Sequence, residues 1–137
     1  MFFTRFNATL HDVISFIAYF LSASLLLYFY SKIYEKITPY REFDLIRKGN
    51  TAAAISYGGS LLGFAVPLAS AIMHSPGLLD MILWGLIALF IQILTFLVVR
   101  LIFKDLAEGI KGNKVSEGIF LGVVSLIVGI INGACIS

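Results

Sequence analysis

Charged residues are scarce in this sequence. Only 13% of its 137 residues are Asp, Glu, Lys or Arg, whereas 59% are hydrophobic. Soluble domains are nearer a quarter charged, and a chain of this length has too small an interior to hide so much apolar surface. The composition therefore excludes a soluble globular protein. The small net charge of +2 gives no reason to expect a nucleic acid as a partner.

Cysteine, histidine and catalytic motifs are equally scarce. Cys135 is the only cysteine, so no disulfide can form within the chain. The two histidines, His11 and His74, have no neighbouring metal-ligating residues, and the sequence contains no phosphate-binding loop or nucleophile elbow. The sequence thus predicts no cofactor, no bound metal and no enzymatic activity.

Four long apolar runs dominate what is present. They are Asp12–Ser31, Thr51–Met73, Asp80–Phe103 and Val115–Ile136. Each reaches the roughly 20 residues that cross the hydrocarbon core of a bilayer. Because backbone groups in lipid must bond to one another, these runs predict four transmembrane helices. The expected fold is an all-α integral membrane protein, a single domain spanning residues 1–137.

Positive charges are distributed unevenly along the chain. Five Lys or Arg residues lie between the first two runs, and four more lie between Arg100 and the fourth run. The segment His74–Leu79 has none. Short loops rich in Lys and Arg remain in the cytoplasm. Both basic loops are therefore expected in the cytoplasm, near lipid headgroups, with both termini outside it.

The tripeptide Lys-Gly-Asn occurs twice, each time just before a glycine-rich run. Its copies are Lys48, Gly49 and Asn50, then Lys111, Gly112 and Asn113. The shift of 63 residues between them also places Gly59 on Gly122, and a shift of 68 places Asp12 on Asp80. These matches predict two tandem helical hairpins, approximately residues 12–73 and 80–136, related as a parallel repeat.

A short amphipathic helix at the cytoplasmic interface is predicted before each copy. One covers Thr38–Lys48, with Thr38 as N-cap and Pro39 in the first turn, and the other covers Phe103–Ile110. In each tripeptide, lysine suits the end of the short helix, glycine its left-handed terminus, and asparagine the cap of the next helix. The alternative is an anion site at the N-termini of the two following helices.

Small residues distinguish the second and fourth runs from the other two. The second run holds seven Leu, Ile, Val or Phe residues, whereas the third holds sixteen. Glycines recur at four-residue spacing in the second and fourth runs. They are Gly59, Gly63, Gly118, Gly122, Gly129 and Gly133. This spacing lets helix backbones approach closely, so it predicts an inner helix pair and a homo-oligomer or a tight contact within one chain.

Three residues interrupt the apolar runs. Pro67 frees the carbonyl of Gly63, four residues earlier, and predicts a kink. Gln92 lies near the middle of the third run, where an amide can bridge helices. Glu117 lies one turn past the Asn113 corner, at the start of the fourth run. It is either a first-turn acid favoured by the helix dipole, or an acid that pairs with a polar group of the first or third helix or of a neighbouring subunit and marks a cytoplasmic vestibule.

Two segments carry a resemblance to a known family. ITPYREFDLIRKGNTAAAISYGGSLLGFAVPLASAI and its weaker echo KDLAEGIKGNKVSEGIFLGVVSLIVGII resemble the YjfL-like inner-membrane proteins of bacteria, most specifically from Glu42 to Ala54. The second copy departs from the pattern, with Ser116 and Glu117 where the first has Ala53 and Ala54. The resemblance implies a bacterial inner-membrane protein of unknown function built from two copies of a two-helix unit. Members of this family are often encoded beside membrane-stress coat proteins, which implies a role in the cell envelope.

The sequence leaves two functions open. One is an assembly or envelope-stress accessory that meets a cytoplasmic protein through its basic loops. The other is a small transport or channel unit with a path between the second and fourth helices of one or more subunits. Nothing in the sequence supports a third possibility, an enzyme acting within the bilayer.

Overall fold

A computed structural model describes residues 1–136, and six helices account for most of them. They are α1 (Phe2–Ile37), α2 (Glu42–Arg47), α3 (Thr51–His74), α4 (Leu78–Ile102), α5 (Leu106–Lys111) and α6 (Val115–Ile136). Four of them, α1, α3, α4 and α6, are long and apolar enough to cross a membrane. The prediction of an all-α protein with four membrane spans is confirmed, and the described residues form no strand.

The first helix is much longer than the apolar run that predicted it. α1 has 36 residues, about 54 Å at the α-helical rise, so Asp12 lies within the helix rather than at its start. No proline or glycine interrupts the chain before Pro39. Every residue from 2 to 14 is exposed, and the only fully buried side chains of α1 are Leu26, Tyr30 and Tyr34. The helix therefore joins the bundle through its C-terminal half.

Thr38 ends a helix instead of starting one. It is the C-cap of α1, with extended backbone angles of φ −73° and ψ 142°. Extended angles would suit an N-cap, but residues 39–41 do not continue into a helix, so the predicted N-cap at Thr38 is wrong. α2 begins at Glu42 behind Arg41. Both α2 and α5 have six residues, and their place at a membrane interface stays a prediction.

α3 and α6 lie side by side and parallel, with backbone against backbone. A Cβ atom added at Gly59 would lie 2.5 Å from the Cα of Gly122, and one at Gly118 would lie 2.4 Å from the carbonyl oxygen of Ala52. We call this contact the glycine seam, formed by Gly59, Gly63, Gly118, Gly122 and Gly129. α1 packs on α3 and α4, and α4 packs on both helices of the seam.

The carbonyl freed by Pro67 points into the glycine seam. α3 continues as one helix through Pro67, which has no amide proton to offer Gly63. A Cβ atom at Gly129 would lie only 1.9 Å from that carbonyl oxygen. The oxygen therefore faces the Cα of Gly129, a position suited to a weak Cα–H···O contact. Glycine at position 129 makes room for it.

Candidate functional sites

The two Lys-Gly-Asn copies meet at one end of the bundle. The Oδ1 of Asn50 accepts a hydrogen bond from the amide of Ala53 (2.8 Å), which caps the start of α3. Its Nδ2 donates to the carbonyls of Ile110 (2.9 Å) and Lys111 (3.2 Å). One buried side chain thus serves the first turn of α3 and the last turn of α5.

Asn113 completes the same joint from the other side. Its Oδ1 accepts from the amide of Ala52 (3.1 Å), so it caps α3 and not the helix that follows it in sequence. Gly49 has the expected left-handed φ of +87°. The same expectation for Gly112 is wrong, because its φ is −83° and Asn113 takes the left-handed position with φ +62°. We call this cross-linked pair of turns the corner joint.

The corner joint defines the end of the bundle at which α2 and α5 lie, referred to here as the loop end. Lys48 and Lys111 are exposed there and make no ion pair among the described residues. Residues related by the shift of 63 thus have matching places. Asn50 and Asn113 each bond to the opposite turn of the joint, and Gly59 contacts Gly122 in the seam. A two-fold axis along the helices would bring equivalent residues together in this way, and the tandem repeat stays a prediction.

A buried acid begins α2. Glu42 is only 1% exposed, and its Oε1 is hydrogen-bonded to the Thr38 hydroxyl. That hydroxyl also lies within reach of the carbonyl oxygens of Glu35 (3.1 Å) and Tyr40 (3.2 Å). A hydroxyl has one proton, so the Thr38 hydroxyl can donate to only one of these three oxygens at a time.

Burial makes the Glu42 carboxyl harder to ionise. It raises the pKa of the Glu42 carboxyl, partly offset by the hydrogen bond from Thr38, and the nearby charge of Glu35 raises it further. The second oxygen of Glu42, Oε2, is buried and has no hydrogen-bond partner among the described residues. Burial also raises the pKa of the adjacent Tyr40 hydroxyl, which therefore stays protonated.

Glu42 lines a cavity of about 420 Å³ between α2 and the end of α1, the α1–α2 cavity. Its lining residues are Lys32, Glu35, Lys36, Arg41, Glu42, Phe43 and Asp44. Three are basic and three are acidic. Glu35 has its Oε2 3.4 Å from the Nζ of Lys32, while its Oε1 is buried without a hydrogen-bond partner among the described residues.

Glu117 faces a second cavity of about 540 Å³, formed where α4, α5 and α6 meet. Lys104, Asp105, Ser116 and Phe120 are among its lining residues. The Oε2 of Glu117 packs against Gly109 of α5, where an added Cβ would lie 1.5 Å away. Within residues 1–136 this oxygen has no hydrogen-bond partner. No partner on α1 or α4 is found for it there, and pairing with a neighbouring subunit stays a prediction.

Hydroxyl and amide groups fill the middle of the bundle. Tyr30 and Tyr34 of α1 are fully buried, their rings 4.8 Å from those of Phe64 and Phe96 respectively. Gln92 of α4 is 2% exposed. Further buried polar side chains are Ser56, Ser60 and Ser125.

Gln92 connects α4 to α6 across this polar layer. Its Nε2 donates to the carbonyl of Ser125 (3.2 Å), and its Oε1 has no hydrogen-bond partner within residues 1–136. The Ser125 hydroxyl in turn lies 3.4 Å from that of Ser60 on α3. The amide thus bridges two helices, the structural role that its position in the sequence suggested.

The buried tyrosines were not anticipated from the sequence, although a signal was present. Tyr30 and Tyr34 are four residues apart in α1, and Ser56 and Ser60 have the same spacing in α3. That spacing places each pair on one helix face. Matching polar faces on two membrane helices indicate a shared polar layer, because polar groups within a bilayer turn toward the protein.

The glycine seam bears directly on any route for a solute. Gly59 lies against Gly122, Gly63 against Gly129, and Gly118 against Ala52, all through backbone atoms. Within one chain these contacts leave no space for a path between α3 and α6 over the length of the seam. Room for a polar route would have to come from the side of α1 and α4, where the buried hydroxyls lie.

Comparisons with known proteins give a family without an assigned activity. A family model described as Domain of Unknown Function (DUF350) matches residues 8–136. The UPF0719 inner membrane protein YjfL of Escherichia coli K12 is 40% identical over 128 residues, which are 93% of this chain and 97% of that protein. The UPF0719 transmembrane protein YshE of Bacillus subtilis 168 is 30% identical over 88 residues, 64% of this chain and 66% of that protein. No solved structure matches the chain.

Proposed function

Since this chain belongs to the DUF350 family and is a multi-pass inner-membrane protein, we propose that it works by assembly, as a non-enzymatic envelope accessory. In this proposal a soluble cytoplasmic protein docks on the loop end of the bundle. The relatives are named only by their membrane location, so the argument depends on this chain's own residues.

The corner joint is the observation that carries the proposal. By bonding to both α3 and α5, Asn50 fixes the orientation of α5 relative to the membrane helices. A surface already fixed before binding loses little conformational entropy when a partner docks. Exposed basic residues surround it. They are Arg41, Arg47, Lys48, Lys104, Lys111 and Lys114. Such a surface suits a partner with an acidic face.

Photo-crosslinking in cells tests this proposal. A photoreactive residue is introduced at Lys48 or Lys111, and for comparison at Phe16, which is exposed on the far half of α1. We expect a discrete adduct with a soluble protein from the first two positions only. Changing Arg47, Lys48 and Lys114 to Glu should abolish the adduct formed at Lys111. Absence of any soluble adduct at the loop end would refute the docking role.

A transport or channel role is the second candidate, and the buried polar layer favours it. Gln92 and Tyr34 each have a buried polar atom without a partner among the described residues, and Glu117 faces an open cavity. Polar groups at this depth often mark a route for ions or protons. Because the glycine seam is closed, the route would pass along α1 and α4.

Flux measurements with purified protein in liposomes distinguish the two candidates. Flux above that of protein-free liposomes, lowered in Gln92→Leu and altered in Glu117→Gln, would favour transport. Glu117→Gln keeps the shape and removes the charge, so unchanged flux, assembly and stability from about pH 5 to about pH 8 would leave Glu117 as an acid of the first helical turn. No flux with any ion tested would leave the docking role as the better account.

A further inference from the structure

The α1–α2 cavity combines features that the docking proposal does not use. Glu42 is almost completely buried, yet its Oε2 lacks a hydrogen-bond partner among the described residues. The Oε1 of Glu35 is also buried and has no hydrogen-bond partner among the described residues. Buried acceptors without donors are uncommon in folded proteins, and both of these belong to residues that line one cavity.

The α1–α2 cavity is also lined by positive charge. Lys36 and Arg41 line it and are exposed. Arg41 lies 4.0 Å from Asp44, and neither basic residue shares an ion pair with Glu35 or Glu42. A simple anion or a simple cation would satisfy one sign of charge only, whereas a small zwitterion satisfies both.

We propose that the α1–α2 cavity binds the headgroup of a phospholipid that carries a primary ammonium, phosphatidylethanolamine. Both carboxyl oxygens are closed to solvent in this structure, so in this proposal the Glu42 and Glu35 side chains rotate toward the cavity and accept from the ammonium, while the phosphate meets Lys36 and Arg41. The cavity volume of about 420 Å³ lies within the range of small-molecule sites.

The position of the cavity favours a lipid over a soluble zwitterion. It opens at the last turns of α1, where Lys32 and Lys36 follow the apolar run, which is where headgroups meet a membrane helix. The cavity mouth also includes Phe43, half exposed and packed on Tyr57 with ring centroids 5.4 Å apart. A lipid whose headgroup occupies the cavity can therefore keep its acyl chains in the bilayer beside α1.

The primary ammonium is the discriminating group. Three N–H donors can reach two separate carboxyl oxygens. The quaternary ammonium of phosphatidylcholine has no N–H, and the glycerol headgroup of phosphatidylglycerol has no positive charge, so each leaves the two buried acceptors without a charged donor. A missing charge-assisted hydrogen bond at a buried site corresponds to about tenfold or more in affinity.

Native mass spectrometry of the full chain with defined lipids tests this site. Phosphatidylethanolamine, phosphatidylcholine and phosphatidylglycerol with identical acyl chains compete for the purified protein. We expect retention of phosphatidylethanolamine about tenfold over the other two. Glu42→Gln, which keeps the side-chain shape and removes its charge, should abolish that preference. Asp44→Asn is the matched control, because Asp44 lines the same cavity but its side chain is 54% exposed, and it should keep the preference.

Each remaining outcome counts for or against the site. If Glu42→Gln does not fold, Glu35→Gln should still weaken the preference, since it removes the other unpartnered oxygen. No preference in the wild-type protein, or equal loss in the Asp44→Asn control, overturns the proposal. Displacement of the lipid by soluble phosphoethanolamine at the same concentration would show that the cavity takes a soluble zwitterion and not a membrane lipid. None of these results depends on a docked protein, so this site and the docking role fail independently.

Discussion

One asparagine side chain joins the start of α3 to the end of α5, across sixty residues of sequence. Asn50 caps α3 with its oxygen and closes the end of α5 with its nitrogen. An aspartate could do the first but not the second, because it has no N–H to donate. The choice of amide over acid at this position therefore reflects the joint between the two turns as well as the helix cap.

Replacing Asn50 separates these two contributions. Asn50→Ala removes the cap and both donated hydrogen bonds, and we expect a loss of about 1–3 kcal/mol in the free energy of unfolding. Asn50→Asp keeps the acceptor for Ala53 and should lose less. Unfolding in mixed detergent micelles measures both. If aspartate destabilises as much as alanine, the cap contributes little and the bonds to α5 dominate.

The raised pKa of Glu42 predicts a dependence of stability on pH. The folded state holds the Glu42 proton more tightly than the unfolded chain does. Between the ordinary glutamate pKa and the raised value the folded state therefore binds more protons, and stability falls as pH rises through this window. We expect the melting temperature to decrease from about pH 4 upward until the raised pKa is passed.

Glu42→Gln is the control for that pH profile. Glutamine cannot titrate, so the decrease should be smaller in this variant. The charged and titratable groups near Glu42 are unchanged by it. They are Lys32, Glu35, Lys36, Tyr40, Arg41, Asp44, Tyr57 and Arg100. An identical pH profile in both proteins would assign the effect to one of these groups instead.

Single residues also mark where sequence reasoning stops. Hydropathy gave the membrane spans, because a bilayer requires long apolar helices. It could not show that Glu42, in an amphipathic stretch, is buried. The stretch looked like a surface helix from Thr38 onward, but Pro39 ends α1 there and the turn brings Glu42 back onto Thr38. Burial of a polar residue in a turn depends on tertiary contacts that local patterns do not contain.

At the scale of helices, the glycine seam determines how α3 and α6 fit together. Seven large apolar residues in the predicted span of α3 give it only about −2 to −4 kcal/mol of insertion free energy, against about −5 to −10 kcal/mol for the sixteen in that of α4. Contact with α6 therefore contributes much of what holds α3 in place. The glycine spacing was visible in the sequence, whereas which glycine meets which was not.

Gly129 and Gly58 provide a matched pair to test the seam. An alanine Cβ at position 129 would lie 1.9 Å from the carbonyl oxygen of Gly63, whereas one at position 58 meets nothing within 4 Å. Gly129→Ala must push the helices apart, and we expect a loss of about 1–3 kcal/mol in stability. Gly58→Ala should be neutral or stabilise by up to about 1 kcal/mol, because alanine favours the helix. Equal effects in detergent unfolding would mean that the seam is not close-packed.

For the whole molecule, orientation is the first property to test. The charge distribution predicts the loop end in the cytoplasm and both termini outside it. A reporter fused after Ser137, which lies beyond the described residues, should be active only outside the cytoplasm. A second reporter inserted after Lys48 should be active only inside. A cytoplasmic C-terminus would reverse the placement of both basic loops and remove the basis of the docking proposal.

Self-association is the second whole-molecule property. Gly59 and Gly118 are already in contact with α6 and α3 within one chain, so the glycines do not by themselves require an oligomer. Gly59→Leu and Gly118→Leu should lower thermal stability whether or not subunits associate. We expect a homo-oligomer, and light scattering in detergent measures its mass. A monomeric wild-type protein with destabilised variants would assign the glycines to internal packing alone.

The glycine seam also has a consequence for synthesis. It joins the second membrane helix to the last, and α6 begins 41 residues after α3 ends. At about 5–20 residues per second, the weakly apolar α3 waits about 2–8 s for its partner to begin leaving the ribosome. During that interval its small-residue face has no partner from α6. The first half of the protein can therefore finish packing only after α6 has been made. A chain interrupted before α6 should be removed by membrane proteases even though three of its four spans are intact.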